Sequence, residues 1–177
     1  VTSPTGAPGG LALAAILGIG LLVRLALSGL STTSNMDPDA AHFLNIARCF
    51  ANGQGFSNPA AWPAWIQPAA LPMPETFKEP AYPWLISRLA RPLGDWFRAG
   101  QWLSLLAGAA LPWVTWQLAQ RRGLDRGASL LAAALVAASP LALLQSVRVM
   151  VDASFALVVT SMFLLAMPRP VRGHALA

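Results

Sequence analysis

Charged residues are scarce in this sequence: 11% of its 177 residues are Asp, Glu, Lys or Arg, whereas 55% are hydrophobic. Cysteine is almost absent. Cys49 is the only one, which excludes an internal disulfide and a cysteine-based metal site. Long runs without charge are not typical of a soluble domain of this length, so the composition indicates a membrane protein. The net charge of +5 comes from arginines between and after the apolar runs, a pattern that indicates cytoplasmic loops and no nucleic-acid partner.

Four apolar runs predict an all-α fold of polytopic transmembrane helices. Each is close to the roughly 20 residues that cross a hydrocarbon core of about 30 Å, and the four lie at about 11–30, 98–119, 128–147 and 149–167. Pro140 predicts a kink in the third span. Residues 1–10 are expected to be a flexible N-terminus that lacks the basic stretch of a signal peptide, and residues 169–177 a cytoplasmic tail after a membrane domain at 11–168.

The interval 31–97 is expected to be a long first loop that carries surface-lying helices. Four of the chain's seven acids lie within residues 31–80 of it. Asp37 followed by Pro38 predicts a capped helix start, and the helix of about 14 residues that follows is too short to cross a bilayer. Its period predicts an apolar face, with a polar face formed by His42, Asn45, Arg48 and Asn52. A second surface helix is expected at 81–93.

The arginines predict which ends of the spans face the cytoplasm. The arginine cluster within 121–126 follows the second span and is expected to be cytoplasmic, in a multi-pass protein of the cell membrane. Four spans then put both termini in the cytoplasm and the 31–97 loop on the extracytoplasmic side. The short connection at 146–152 brings Asp152 to the same outer face as Asp37 and Asp39.

Ionisable groups near a bilayer are costly to keep there, so they are functional candidates by default. The carboxylates at the start of the first surface helix suit a base or a cation ligand. Nearby lysine and arginine side chains suit a phosphate. The candidates on the outer face are Asp37, Asp39, Lys78, Glu79, Arg148 and Asp152. Arg24, near the end of the first span, is expected either to snorkel to the surface or to meet a carboxylate of the loop.

Several of these residues also have a purely structural explanation. Asp37 is favoured as the N-cap of the helix that begins at Pro38, which leaves Asp39 as the better catalytic candidate. Lys78 and Glu79 can form a surface pair of little energetic weight. Arg148 and Asp152 stand four residues apart and can pair with each other. These alternatives stay open from the sequence.

Three segments in the first part of the chain resemble a known family in their order. They are DAAHFLNIAR at 39–48, GQGF at 53–56 and KEPAYP at 78–83. Together they look like the first extracytoplasmic loop of polytopic GT-C glycosyltransferases, such as protein O-mannosyltransferases and the aminoarabinose transferases of lipid A. The resemblance covers about residues 11–168, and Arg24 and Asp152 also fit its pattern.

The resemblance implies transfer of a sugar from a polyprenyl-phosphate donor to an acceptor on the outer side, with inversion at the anomeric carbon. Asp39 then matches the base or acceptor-positioning group, and Asp152 the second acid. Lys78 and Glu79 match the segment that holds the donor phosphate or a divalent metal, and Arg148 and Arg24 are further candidates for the phosphate. Phe43 stands where a tyrosine is more usual.

The family's members carry more spans and a further extracytoplasmic domain. Four spans are too few for a complete donor cavity, so the chain is expected to be part of a longer enzyme, to work with a partner chain that supplies the missing spans, or to be inactive. The rival interpretation is a small non-catalytic membrane scaffold or assembly partner whose outer loop binds another protein.

Overall fold

The structure is a computed structural model that describes residues 7–60 and 70–168. Seven α-helices account for most of this part of the chain, which confirms the all-α fold class. They are α1 (Ala7–Ser28), α2 (Pro38–Ala51), α3 (Ala81–Leu93), α4 (Trp96–Arg121), α5 (Arg126–Ala138), α6 (Pro140–Val147) and α7 (Asp152–Ala166). The expected tail at 169–177 and residues 1–6 of the expected flexible N-terminus lie outside the described residues.

The surface helices begin and end where local signals in the sequence place them. The Asp37 carboxylate accepts a hydrogen bond from the backbone N–H of Asp39 at 3.0 Å, and Pro38 is the first residue of α2. Gly94 ends α3 in the left-handed conformation, with φ of 67°, and its N–H donates to the Ala90 carbonyl. Between α2 and α3, a pair of two-residue antiparallel strands was not expected: β1 (Ser57–Asn58) and β2 (Met73–Pro74).

The third predicted span is broken at Pro140, where a kink was predicted. α5 and α6 meet at Ser139 with a bend of 53°. Ser139 caps α6 by accepting from the Ala142 N–H, and Pro140 occupies the first helical position. The fourth predicted span is shorter than expected, because α7 begins at Asp152 and has 15 residues.

Among the described residues, one helix is long and apolar enough to cross a membrane, from Gly9 to Ser28. A second qualifies if the bent α5–α6 pair counts as one span. The expectation of four spans therefore stays a prediction.

Helix α4 is the centre of the bundle, since it contacts α1, α3, α5, α6 and α7. Many of its buried positions carry small residues, which let helices approach closely: Ala99, Gly100, Ser104, Ala107, Gly108 and Ala119. A Cβ at Gly100 would lie 2.6 Å from Cγ1 of Val149, and one at Gly108 would lie 2.0 Å from Oγ of Ser146. The two glycines thus let α4 pack directly against the 146–149 segment.

The helix ends form two groups. At the first, here called the loop end, Nε2 of Gln101 donates to the carbonyls of Ser28 at 2.9 Å and Val147 at 3.0 Å. The α2–α3 layer packs on this end through a core that includes Phe43, Tyr82, Ile86 and Val149. At the opposite or arginine end, Arg121 donates to the Leu164 carbonyl, which joins the ends of α4 and α7.

Candidate functional site

Two residues of opposite charge, from the first and the third of the three sequence segments, meet at the loop end. Nζ of Lys78, just before α3, donates to Oδ1 of Asp39, in the first turn of α2, at 2.8 Å. The Lys78 side chain is 19% exposed and that of Asp39 is 47% exposed. The pair is therefore reachable from solvent on the carboxylate side, whereas the ammonium is mostly covered.

An aromatic ring packs against the ammonium of Lys78. Its Nζ lies 5.2 Å from the centroid of the Phe43 ring, within the range of a cation–π contact. The Phe43 ring packs edge-on against Tyr82, with centroids 5.1 Å apart and an interplanar angle of 77°. The Phe43 ring contacts the cation by its π face, a contact that needs no hydroxyl group.

Tyr82, which packs against Phe43, also links α3 to the segment between α6 and α7. Its hydroxyl is 2.7 Å from Oγ of Ser104, which donates to the Met150 carbonyl at 2.9 Å. Burial raises the pKa of the Tyr82 hydroxyl, and the negative charge of Asp152 raises it further. The hydrogen bonds of Tyr82 and Ser104 thus join α3 and α4 to the segment that leads to Asp152, the first residue of α7.

Three other candidates lie apart from this cluster. Asp37 serves as the N-cap of α2, as its structural interpretation predicted. Glu79 is exposed and makes no ion pair or hydrogen bond with the described residues. Arg148 is also exposed, and no ion pair joins it to Asp152 in the described part of the chain. Helix α6 separates Asp152 from Arg148. Asp152 and Gln145 line a cavity of about 250 Å³, whereas Arg148 lines a different cavity.

Both expectations for Arg24 are wrong. The side chain is 0% exposed, so it does not snorkel, and no carboxylate in the described part of the chain pairs with it. Its Nε donates to Oγ of Ser146 at 3.2 Å, and its Nη1 donates to the carbonyls of Gly20 at 3.0 Å and Ala137 at 3.4 Å. The break after α5 explains this contact, since the carbonyls of a last helical turn lack partners within their own helix. Arg24 ties α1 to that turn and is not part of the cluster.

A second polar cluster in the loop layer was missed by the sequence prediction. His42 was expected on the solvated face of α2, but it is 8% exposed, and its Nε2 lies 2.5 Å from Oε2 of Glu75, which is equally buried. Nδ2 of Asn58 donates to the same oxygen at 3.2 Å. Oε1 of Glu75 accepts the backbone N–H groups of Thr76 and Phe77. Glu75 thus holds α2 to the segment that leads to Lys78.

The environment of Glu75 favours its ionised form. Burial by itself would raise the pKa of the carboxyl, but the Phe77 N–H, His42 and Asn58 together hold this pKa below its ordinary value. Because the pKa is depressed in the folded state, the stabilisation is present at neutral pH. It is lost as the pH falls through the lowered pKa.

No group of three or more His, Cys, Asp or Glu side chains in residues 7–60 and 70–168 could hold a metal ion. The cation beside Asp39 is the ammonium of Lys78, the only lysine of the sequence. The cluster therefore combines a half-exposed carboxylate with a fixed positive charge, which together can accept a proton and bind an anion.

Comparisons with protein families, with curated proteins and with solved structures find no match to this chain.

Proposed function

We propose that this chain is part of a GT-C-like membrane glycosyltransferase, which moves a sugar from a polyprenyl-phosphate donor to an acceptor on the extracytoplasmic face. The observation that carries the proposal is the ion pair between Lys78 and Asp39, 39 residues apart in the chain, beside the packed rings of Phe43 and Tyr82. Salt bridges with an exposed partner contribute at most about 1 kcal/mol to stability, so folding alone gives little reason for this one.

The two members of the pair take different roles in the proposed reaction. An acceptor oxygen attacks the anomeric carbon of the sugar from the face opposite the phosphate, and Asp39 accepts the proton that this oxygen loses. The bond between the anomeric carbon and the phosphate oxygen breaks, and polyprenyl phosphate leaves with the negative charge. The ammonium of Lys78 has three donors, so it can keep its contact with Asp39 while it binds that phosphate.

The arrangement of the helix ends supports a reaction on the outer side of a membrane. Arg121 and Arg126 lie at the opposite end of the bundle from Lys78, and arginine clusters mark the cytoplasmic side of membrane proteins. In this proposal α4, the bent α5–α6 pair and α7 cross the bilayer beside α1. Further spans come from the rest of a longer enzyme or from a partner chain.

Binding of the leaving group tests the proposal. Polyprenyl phosphate is expected to raise the unfolding temperature of the detergent-solubilised protein, and Lys78→Ala is expected to abolish this increase because the phosphate loses its cation. Arg88→Ala is the matched control, since Arg88 is an exposed cation of the same layer that stacks on Trp84. The measurement is thermal unfolding with and without the lipid.

An unchanged unfolding temperature in the unsubstituted protein would contradict the proposal. It would favour the non-catalytic scaffold, for which the loop layer has exposed apolar side chains: Phe77 is 57% exposed and Trp84 is 44% exposed. If Lys78→Ala and Arg88→Ala reduce the lipid-induced rise in unfolding temperature equally, that rise comes from general surface charge and not from a site at Lys78.

A further inference from the structure

Two cavities lie along α1 where it faces the bent α5–α6 pair, and Leu143 lines both. One of about 360 Å³ is at the loop end, and one of about 390 Å³ lies further along α1 towards the arginine end. We call the two together the α1–α6 seam. Its walls are apolar over most of their length, and the second cavity is lined only by Ala, Gly, Val, Leu and Ile side chains.

The polar groups of the seam are confined to its loop-end mouth. Ser31, Asn35 and Arg148 line the first cavity there. Among the described residues that line the two cavities, Arg148 is the only charged one. Arg148 is exposed, and no ion pair or hydrogen bond to the described residues occupies its guanidinium. An arginine in this state can bind a phosphate through two parallel hydrogen bonds.

The length of the seam matches one leaflet of a bilayer. From Leu27 to Ala15 the cavities follow 12 residues of α1, which is about 18 Å at 1.5 Å per residue, and Leu30 and Ser31 line the mouth beyond the end of the helix. A leaflet with its headgroup layer is half of about 40–45 Å. A molecule with its headgroup at Arg148 would therefore place its chain along the second cavity.

Small side chains keep the second cavity open. Gly20, Ala134 and Ala137 leave space beside α1, and the carbonyls of Gly20 and Ala137 accept the hydrogen bonds of Arg24 behind this wall. None of the described acids pairs with Arg24, and its Nη2 lacks a hydrogen-bond partner. Its positive charge acts through a medium of low dielectric and so adds to the field of Arg148.

We propose that the α1–α6 seam binds one anionic phospholipid of the surrounding bilayer, with its phosphate at Arg148 and one acyl chain between α1 and the α5–α6 pair. The charge at the mouth and the absence of any acid along the lining argue for an anionic headgroup. The apolar lining of the second cavity favours a lipid over a free phosphate, because only a lipid has an acyl chain to place there. This site is separate from the Asp39–Lys78 pair and does not depend on sugar transfer.

Lipid binding to the purified full-length protein tests the seam. Native mass spectrometry in detergent would follow titration with phosphatidylglycerol or with phosphatidylcholine, which differ in net charge. We expect phosphatidylglycerol to bind about fivefold more tightly than phosphatidylcholine, because one arginine near an anionic surface contributes about 1 kcal/mol. Arg148→Gln is expected to remove that preference, whereas Arg88→Gln, which removes a cation outside the seam, leaves it unchanged.

Two neighbouring alanines give a matched test of the apolar part. Ala15 and Ala14 are both exposed on α1, but only Ala15 lines the seam. Ala15→Phe is expected to weaken binding of both lipids several-fold by filling the cavity, and Ala14→Phe is expected to have no effect. Ala138→Phe fills the opposite wall and serves if the Ala15 variant does not fold. Equal affinity for the two lipids in the unsubstituted protein, or equal effects of the two α1 variants, would overturn the proposal.

Discussion

Replacing Asp39 with asparagine is expected to abolish sugar transfer by the full-length protein while leaving the fold intact. Asparagine keeps the size of the side chain but cannot accept the proton of the attacking oxygen, and loss of a general base typically slows a reaction by about 10²–10⁴-fold. The substitution also removes the charge that Lys78 contacts at 2.8 Å. Turnover with a polyprenyl-phosphate sugar is the measurement.

Asp95→Asn is the control for that experiment. Asp95 lies in the same layer and caps α4 by accepting from the Arg98 N–H, a role that asparagine fills equally well. Transfer is expected to continue in this variant. Unchanged turnover in the Asp39 variant would remove Asp39 from the chemistry and with it the proposed reaction.

Replacing Glu75 with alanine is expected to destabilise the loop layer by about 2–6 kcal/mol, because two buried side-chain donors lose their acceptor and each costs about 1–3 kcal/mol. Four hydrogen-bond donors lose their acceptor, two of them on the buried side chains of His42 and Asn58. Hydrogen exchange of the α2 amides measures the loss.

Glu79→Ala is the matched control, because Glu79 is an exposed acid four residues further along with no partner among the described residues. It is expected to change stability by less than about 0.5 kcal/mol, as is usual at the surface. Equal exchange in the two variants would show that the Glu75 cluster does not hold the layer together. Sugar transfer is expected to fall with Glu75→Ala as well, because Lys78 follows Glu75 by three residues.

Features specified by neighbouring residues were predictable from the sequence. Asp37 and Pro38 set the start of α2, and the α3 helix occupies the expected residues 81–93. Pro140 breaks the third apolar run because it cannot continue the hydrogen-bond ladder of α5. Asp39 and Lys78 were each named as candidates from the sequence, but the contact between them was not predicted, since the expected surface partner of Lys78 was Glu79.

Features that depend on distant parts of the chain were not predictable. The period of α2 assigned His42 to the solvated face, because nothing near it shows that a segment 33 residues later covers that face. Arg24 was expected at the surface for a similar reason. Its partner Ser146 is 122 residues away, and the free carbonyl of Ala137 exists only because α5 ends there. The length of the fourth apolar run likewise did not show that α7 has only 15 residues.

The position of the cluster relative to the bilayer is tested most directly by accessibility labelling in intact cells. Single cysteines replace Asp39, Asp152 or Leu124 in a Cys49→Ala background, and a membrane-impermeant maleimide is added from outside. We expect cysteines at positions 39 and 152 to be labelled without permeabilisation. A cysteine at position 124 should be labelled only after permeabilisation, because Leu124 lies in the loop between α4 and α5 at the arginine end. Labelling of positions 39 and 152 from opposite sides would contradict a shared extracytoplasmic site.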